Sequence, residues 1–230
     1  MGAFTDLATA AGHHVPAYVA QPHDTPRAAL VVLQEVFGVN SHIRAVADGY
    51  AAEGFFVVAP STFHRVRSGV DLGYTDADMQ AGMALKAAVQ ALPAPGVLAD
   101  IQAAIDHAAR CVPGGKVGIL GYCWGGLLTW RAACELDGLS AAVPYYGGGM
   151  TVTPEIERQP RVPVLAHFAE QDRWIPIDSV VAFGRAHPEV SLHLYPAHHG
   201  FNCDQRGAWH APSAALARER TLAFLARHLG

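Results

Sequence analysis

The stretch KVGILGYCWGG, residues 116–126, joins a short apolar run to a glycine-rich turn. The run predicts a buried strand, and the segment behind the turn, residues 125–136, predicts a helix. Gly121, Cys123 and Gly125 match the G-x-nucleophile-x-G elbow, with cysteine where serine is usual. The stretch therefore predicts a reactive thiol at the end of a strand, beside the start of a helix whose dipole favours a thiolate.

Strand-like and helix-like segments alternate on both sides of this turn, without a low-complexity linker or an internal repeat. Such alternation predicts an α/β fold with a mostly parallel sheet and helices on both faces. The whole chain, residues 1–230, is expected to form one domain, as is common at this length. The predicted strands cover residues 28–34, 55–60, 116–122, 139–147, 162–170 and 190–196, and the predicted helices cover residues 41–53, 76–92, 98–111, 125–136 and 215–229.

The composition indicates a large core and little surface charge. Apolar residues make up 51% of the chain and charged residues 16%, which excludes a disordered chain. The net charge of −4 offers no basic surface for nucleic acid, and no segment approaches the ~18 apolar residues of a membrane span. The first residues lack the basic region of a signal peptide, so the expected location is the cytoplasm.

A thiol nucleophile requires a base, and the base requires a carboxylate that orients it. Asp172 follows one predicted strand, and His198 and His199 follow the next. His199 is preferred because a glycine follows it directly and allows a tight turn towards the cleft, although His198 stays open as an alternative. Asp172 is preferred over Glu170, which lies closer to the strand and is expected to face solvent. The order Cys123, Asp172, His199 is that of α/β-hydrolases.

A second strand exit carries the segment QEVFG, residues 34–38. Burying a carboxylate directly after an apolar strand is costly unless it is paired or functional, so Glu35 is a candidate site residue. The alternative is a strand-end residue that faces water. The loop after this strand supplies an oxyanion donor in α/β-hydrolases, here the Val36 amide, and the Trp124 amide behind the elbow is the predicted second donor.

The cysteine and histidine pattern predicts neither a metal site nor a cofactor. The four cysteines show no CxxC spacing, which also argues against a redox protein with paired thiols. None of the thirteen histidines stands at a recognised ligand spacing from a cysteine or carboxylate. The prediction is therefore a site that uses protein side chains alone.

With these residues in place, the sequence resembles the dienelactone hydrolase (carboxymethylenebutenolidase) family nearly from end to end. The resemblance implies an α/β-hydrolase fold and hydrolysis of a lactone or activated ester through a thioester acyl-enzyme. It rests on QEVFGVN (34–40), KVGILGYCWGG (116–126), AVPYYG (142–147), EQDRWIP (170–176), YPAHHGF (195–201) and AALARERTLAFL (214–225).

The resemblance also implies a role for individual residues. Cys123 would be the nucleophile, His199 the base and Asp172 the residue that orients the base. Glu35 would match an additional acidic residue that contacts the thiol and helps to activate it when substrate arrives. Tyr146 falls where members of the family line the substrate pocket.

One position departs from the family pattern. Well-known members bind the substrate carboxylate with an arginine four residues after the catalytic histidine, where this sequence has Cys203. Arg206 is the nearest candidate downstream, and Arg65 and Arg67 are candidates for a second, upstream arginine. The predicted partner is a small lactone or ester, with the chain a monomer or small homo-oligomer. The alternative is a catalytically impaired hydrolase-fold protein that binds ligands or keeps Cys123 as a thiol sensor.

Overall fold

The two apolar runs Ala28–Leu33 and Phe55–Pro60 form strands in which every residue is buried. Successive side chains of a strand point to opposite faces, so such strands need cover on both faces of the sheet. The helices that follow in the chain pack against them and supply this cover. The predicted fold class, a mostly parallel sheet with helices, is thereby confirmed.

The computed structural model describes residues 2–230. Its strands are β1 (Ala3–Ala8), β2 (His14–Ala20), β3 (Ala28–Leu33), β4 (Phe55–Pro60), β5 (Val117–Tyr122), β6 (Ala141–Tyr145), β7 (Leu165–Ala169) and β8 (Ser191–Tyr195). Its helices are α1 (Ser41–Ala52), α2 (Asp76–Gln90), α3 (Val97–Cys111), α4 (Trp124–Glu135), α5 (Ile177–Ala186) and α6 (Ala211–Leu229), with a 3-10 turn at Glu155–Glu157. Within these residues, no helix is both long enough and apolar enough to span a membrane.

The eight strands form one sheet in the order β1-β2-β4-β3-β5-β6-β7-β8. Strands β3 to β8 run parallel, whereas β1 and β2 form an antiparallel hairpin that pairs with β4. The strand order reverses at β3, because β4 lies on one side of it and β5 on the other. Ligands of open α/β sheets bind outside the carboxyl ends of the strands at such a reversal. The loops that leave β3 and β5 there carry Glu35 and Cys123.

Two features of the fold are absent from the predicted elements. The β1–β2 hairpin escapes the prediction because Leu7 is the one buried residue of β1, and the apolar run of β2 is interrupted by Pro16. Helix α5 buries only Val180 and Phe183, and ten residues are too few to show a clear helical period. Neither feature lies next to the strand-order reversal.

Asn40 fixes the start of α1. Its side-chain oxygen accepts a hydrogen bond from the Ile43 amide at 3.2 Å, which satisfies one of the free donors of the first turn. Its side-chain nitrogen donates to the Leu72 carbonyl at 3.1 Å and to the Tyr74 hydroxyl at 3.0 Å. One side chain therefore joins the loop after β3, the start of α1 and the segment that precedes α2.

Candidate active site

Cys123 lies at the junction of β5 and α4, with φ at 56° and ψ at −115°. A positive φ strains a residue that carries a side chain and persists only where the surroundings fix it. The Cys123 amide donates to the Tyr145 carbonyl at 3.0 Å, and its own carbonyl accepts from the Gly126 and Leu127 amides at 3.0 and 3.2 Å. The strained turn holds the half-buried side chain against a cavity at the edge of the sheet.

Gly125 brings the loop after β3 against the elbow. A β-carbon at this position would collide with the carbonyls of Leu33 and Gln34. The absence of a side chain therefore allows the first turn of α4 to touch the end of β3. As a consequence, Val36 lines the same cavity as Cys123, and Glu35 precedes it in the loop.

Asp172 and His199 form a close pair. The Nδ1–H of His199 donates to Asp172 Oδ2 at 2.6 Å, and the Asp172 side chain is fully buried. The other carboxylate oxygen accepts from the amides of Trp174 and Ile175 at 2.8 and 3.2 Å. These three donors hold the carboxylate and leave Nε2 of His199 free for the thiol.

His199 and Cys123 line the same cavity, and the sulfur lies close enough to act on the imidazole. Burial opposes a charge on the imidazole, but the neighbouring sulfur of Cys123 and the carboxylate of Asp172 outweigh it and raise the pKa of His199 from 6.5 to about 10. The positively charged imidazole is therefore the favoured form when the sulfur is a thiolate. The arrangement suits an imidazolium–thiolate pair.

The rival residues from the sequence lie outside this arrangement. Glu170 is exposed at the end of β7. His198 is also exposed, and its Nδ1 lies 3.1 Å from the carbonyl of Gln171. Asp172 and His199 are accordingly the acid and the histidine that the fold brings to Cys123.

Tyr146 lies beneath His199, with the ring centroids 5.0 Å apart. It is fully buried, and the cavity lining among the described residues does not include it. Tyr146 thus packs against the histidine, and its contact with substrate stays a prediction. The sequence correctly places Tyr146 one residue beyond β6, at the edge of the sheet where the site lies. It does not predict that Tyr146 is fully buried.

Glu35 is buried and paired with Arg206. The carboxylate accepts from Arg206 Nη1 at 2.9 Å, and the Glu35 side chain is 1% exposed. Burial opposes the charge of Arg206, but Glu35 outweighs it and raises the pKa of the guanidinium. The second oxygen of Glu35 has no hydrogen-bond partner among the described residues. The alternative of a water-facing Glu35 is thus wrong.

The cavity beside Cys123 has a volume of about 290 Å³. Sequence reasoning missed the wall that α2 contributes, which consists of Met79, Met83 and Lys86. Their spacing of three and four residues is typical of one helix face, but nothing in the sequence directs that face to this site. The remaining lining residues are Val36, Phe37, Cys123, Gly148, Gly149, Trp174, His199 and Arg206.

Helix α2 lies directly on the loop after β3. A β-carbon at Gly82 would collide with the carbonyl of Val36. The amide of Val36 forms no hydrogen bond with the part of the chain that the structure describes, and the same holds for Trp124 at the first position of α4. Free amides at a loop and at a helix start are typical donors for an oxyanion.

The upstream arginine candidates do not line the cavity. Arg65 donates to both oxygens of Asp100 at 2.7 to 3.0 Å, and the Asp100 side chain is fully buried. Arg67 is exposed. Lys86 is the cation that lines the cavity in their place, together with Arg206.

The fold and this arrangement define the class of protein as an α/β-hydrolase. A dienelactone hydrolase-like promiscuous phosphotriesterase from metagenomic libraries shares the fold, with a TM-score of 0.78 at 20% identity over 100% of this chain and 99% of that one. A crystal structure from Klebsiella pneumoniae, titled "Putative Dienelactone Hydrolase", has a TM-score of 0.83 at 30% identity over 98% of each chain.

The chain belongs to the dienelactone hydrolase family, whose model matches residues 15–229. It is 35% identical to the carboxymethylenebutenolidase of Pseudomonas putida over 224 residues, which are 94% of this chain and 92% of the relative. The resemblance inferred from the sequence motifs is therefore confirmed. The chain is a hydrolase of the dienelactone hydrolase type.

Proposed function

We propose that the chain hydrolyses a lactone or activated carboxylic ester through a thioester formed on Cys123. The observation that carries the proposal is the His199–Asp172 hydrogen bond of 2.6 Å beside Cys123, with His199 and Cys123 both at the wall of one cavity. A nucleophile, a base and a group that orients the base are the parts required for covalent acyl transfer.

In the first half-reaction, the thiolate sulfur attacks the carbonyl carbon, and the carbonyl electron pair moves to the oxygen. The free amides of Val36 and Trp124 stabilise this oxyanion. When the intermediate collapses, the bond from carbon to the leaving oxygen breaks. The imidazolium of His199 donates its proton to that oxygen. In a lactone, the new hydroxyl group remains attached to the acyl chain.

In the second half-reaction, water attacks the thioester carbonyl and loses a proton to His199. The carbon–sulfur bond breaks, the electron pair returns to Cys123, and the carboxylate product leaves. Asp172 holds the imidazole ring in one orientation and stabilises its positive charge in both steps.

The pair formed by Glu35 and Arg206 supports a substrate-dependent change at the thiol. Arg206 contacts Glu35 and also lines the cavity, so an anionic substrate competes with Glu35 for the guanidinium. A carboxylate released from Arg206 accepts the thiol proton of Cys123, which leaves the thiolate beside the imidazolium of His199, and it returns this proton to the sulfur after the acyl group has left. We assign Glu35 a role in activating Cys123 when substrate enters.

Trapping of the acyl-enzyme tests the proposal. Rapid quenching during turnover of p-nitrophenyl acetate should yield protein with one additional acetyl group, and peptide mapping should assign it to Cys123. Prior treatment with iodoacetamide should abolish both turnover and the adduct. Turnover that survives in Cys123→Ala, or an acetyl group on another residue, would refute the mechanism.

The same assay separates hydrolysis from thiol sensing. A sensor that has lost catalysis would react with iodoacetamide at Cys123 and show no turnover of any ester or lactone. The free amides and the pairing of His199 with Asp172 beside Cys123 favour hydrolysis. A screen of lactones with and without a carboxylate group then defines the substrate class.

A further inference from the structure

A second group of cysteine, histidine and aspartate side chains lies outside the cavity. His42 is the second residue of α1, whereas Cys203 and Asp204 are neighbours in the loop between β8 and α6. One ligand atom from each of the three lies within 4.8 Å of the other two. His42 and Asp204 are 162 residues apart in the sequence, so spacing rules for metal motifs could not detect this group.

His42 is buried with one ring nitrogen facing Asp204. Its Nδ1 lies 3.2 Å from Asp204 Oδ1, and its side chain is 4% exposed. Its Nε2 is buried without a hydrogen-bond partner among the described residues. Nδ1 is therefore the ligand atom that faces Asp204, and Nε2, on the other side of the ring, takes no part in the site.

Cys203 is fully buried in surroundings that suit a thiolate ligand. The Tyr74 hydroxyl and the main-chain amide of Gln205 lie near its sulfur and favour a thiolate. Asn40 donates to the Tyr74 oxygen at 3.0 Å, which leaves the hydroxyl hydrogen available to another acceptor. Outer polar groups of this kind orient metal ligands. Burial and the nearby Glu35 nevertheless raise the pKa of Cys203 to about 11, so loss of its proton requires a positive charge.

We propose that His42, Cys203 and Asp204 bind a divalent cation of the zinc class, with water in the remaining position. A sulfur, a nitrogen and an oxygen ligand favour zinc over magnesium or calcium, which prefer oxygen alone. Ligand atoms around tetrahedral zinc lie about 3.5 Å apart. The three ligand atoms here lie within 4.8 Å of one another, so small movements of the side chains bring them to that distance. The Asp204 side chain is 64% exposed and is therefore free to move. Together with His42 it lines an open cleft, through which an ion can enter.

The ion would connect two segments that carry the catalytic residues of the proposed mechanism. His42 follows the loop that contains Glu35 and Val36. Cys203 and Asp204 lie between His199 and Arg206. A metal bond across these segments would hold both loops at fixed separation, so the role that we assign to the ion is structural. It requires no substrate and is independent of the hydrolytic proposal.

Cobalt titration of the full chain in the Cys123→Ala background tests the site, because Cys123 and His199 are themselves able to bind a metal. We expect one equivalent of Co²⁺ with a thiolate-to-cobalt absorption band in the near ultraviolet, displaced by Zn²⁺. Adding Cys203→Ser should abolish the band. Adding Asp204→Asn, at an exposed position, should weaken Co²⁺ binding at least tenfold.

The exposed pair Cys111 and His107, with sulfur and nitrogen 3.5 Å apart, provides the matched control. Cys111→Ser in the same background should leave the band and the affinity unchanged. The proposal is overturned if the band persists in Cys203→Ser, disappears in Cys111→Ser, or is absent when Co²⁺ is saturating. Should Cys203→Ser fail to fold, as seen by circular dichroism, unchanged Co²⁺ affinity in Asp204→Asn overturns it alone.

Discussion

Cys123 and Cys203 each lie beside a histidine and an aspartate, but the two sets differ in which side chain is accessible, the thiol or the carboxylate. In the first set the thiol lines the cavity, and the carboxylate of Asp172 is fully buried with three donors. In the second set the thiol is fully buried, and the carboxylate of Asp204 is 64% exposed. Identical residue types thus have opposite access to solvent.

The backbone around each cysteine decides the chemistry that its thiol can perform. Cys123 occupies a strained turn at a helix start, where a substrate reaches the sulfur and the helix dipole favours the thiolate. Cys203 lies inside a loop, where burial raises the pKa of its thiol to about 11. The first set suits a nucleophile, and the second suits a ligand that needs a cation before it ionises.

The matched substitutions Cys123→Ala and Cys203→Ala test this comparison with the largest expected difference in kcat. We expect Cys123→Ala to reduce kcat for ester hydrolysis by about 10⁴-fold or more, since removing a nucleophile disables the whole unit. Cys203→Ala should reduce it by less than about tenfold, through loosening of the loop. Steady-state assays of both variants, with circular dichroism as the folding control, decide the matter; equal losses would contradict the comparison.

The histidines provide the next test. His199→Ala should lower kcat by about 10³-fold or more, because both proton transfers depend on this ring. His198→Ala should have a mild effect, because His198 is exposed and contacts the Gln171 carbonyl instead. A severe defect in His198→Ala with a mild one in His199→Ala would reverse the assignment.

Glu35→Gln should affect the thiol without removing the triad. We expect kcat to fall by about 10-fold to 100-fold, with a smaller rise in KM, because the proton acceptor near the thiol is lost. The rate of alkylation by iodoacetamide should rise when a non-hydrolysable lactone analogue binds to wild type, and this response should vanish in the variant. An unchanged response would remove Glu35 from the mechanism.

Lys86 offers a test of substrate charge. Lys86→Met should raise KM for carboxylate-bearing lactones by about fivefold, since a partly exposed ion pair contributes about 1 kcal/mol. KM for neutral esters should stay within twofold of wild type by the same reasoning. Lys116→Met removes the same charge far from the cavity, where the ammonium donates to the His228 carbonyl, and is the matched control. An equal effect on both substrate classes would exclude a charge-based role.

The raised pKa of His199 predicts a pH-dependent stability. The folded protein binds the imidazole proton more tightly than the unfolded chain, with a pKa of about 10 against 6.5. This contribution is fully present below pH 6.5 and disappears as the pH rises through about 10. The difference in Tm between wild type and His199→Gln should therefore shrink across this window, by a few degrees at most. A constant difference between these pH values would contradict the ion pair.

Much of the fold could be predicted because β3, β4 and β5 are continuous apolar runs and the elbow marks one strand exit. The order of Cys123, Asp172 and His199 then places all three at the same edge of a parallel sheet. These signals are local in sequence. Nothing in them depends on which side chains meet across the fold.

The remaining features depend on packing between distant segments. The pairing of Glu35 with Arg206 joins residues 171 positions apart, and the depth of Tyr146 follows from the rings above it. The contribution of α2 and Lys86 to the cavity wall could not be predicted, because it depends on how that helix packs in the fold. Side-chain pairing over such separations leaves no periodic or motif signal in a single sequence.

The contact between Gly82 and the Val36 carbonyl has a consequence for how the substrate range of such a protein can diverge. Helix α2 touches the loop after β3 through the main chain at Gly82, so this contact does not depend on the side chains of the helix. Met83 is 43% exposed and projects from the same helix into the cavity wall. Substitutions there and at Lys86 can therefore alter which acyl groups fit while the reaction itself is preserved.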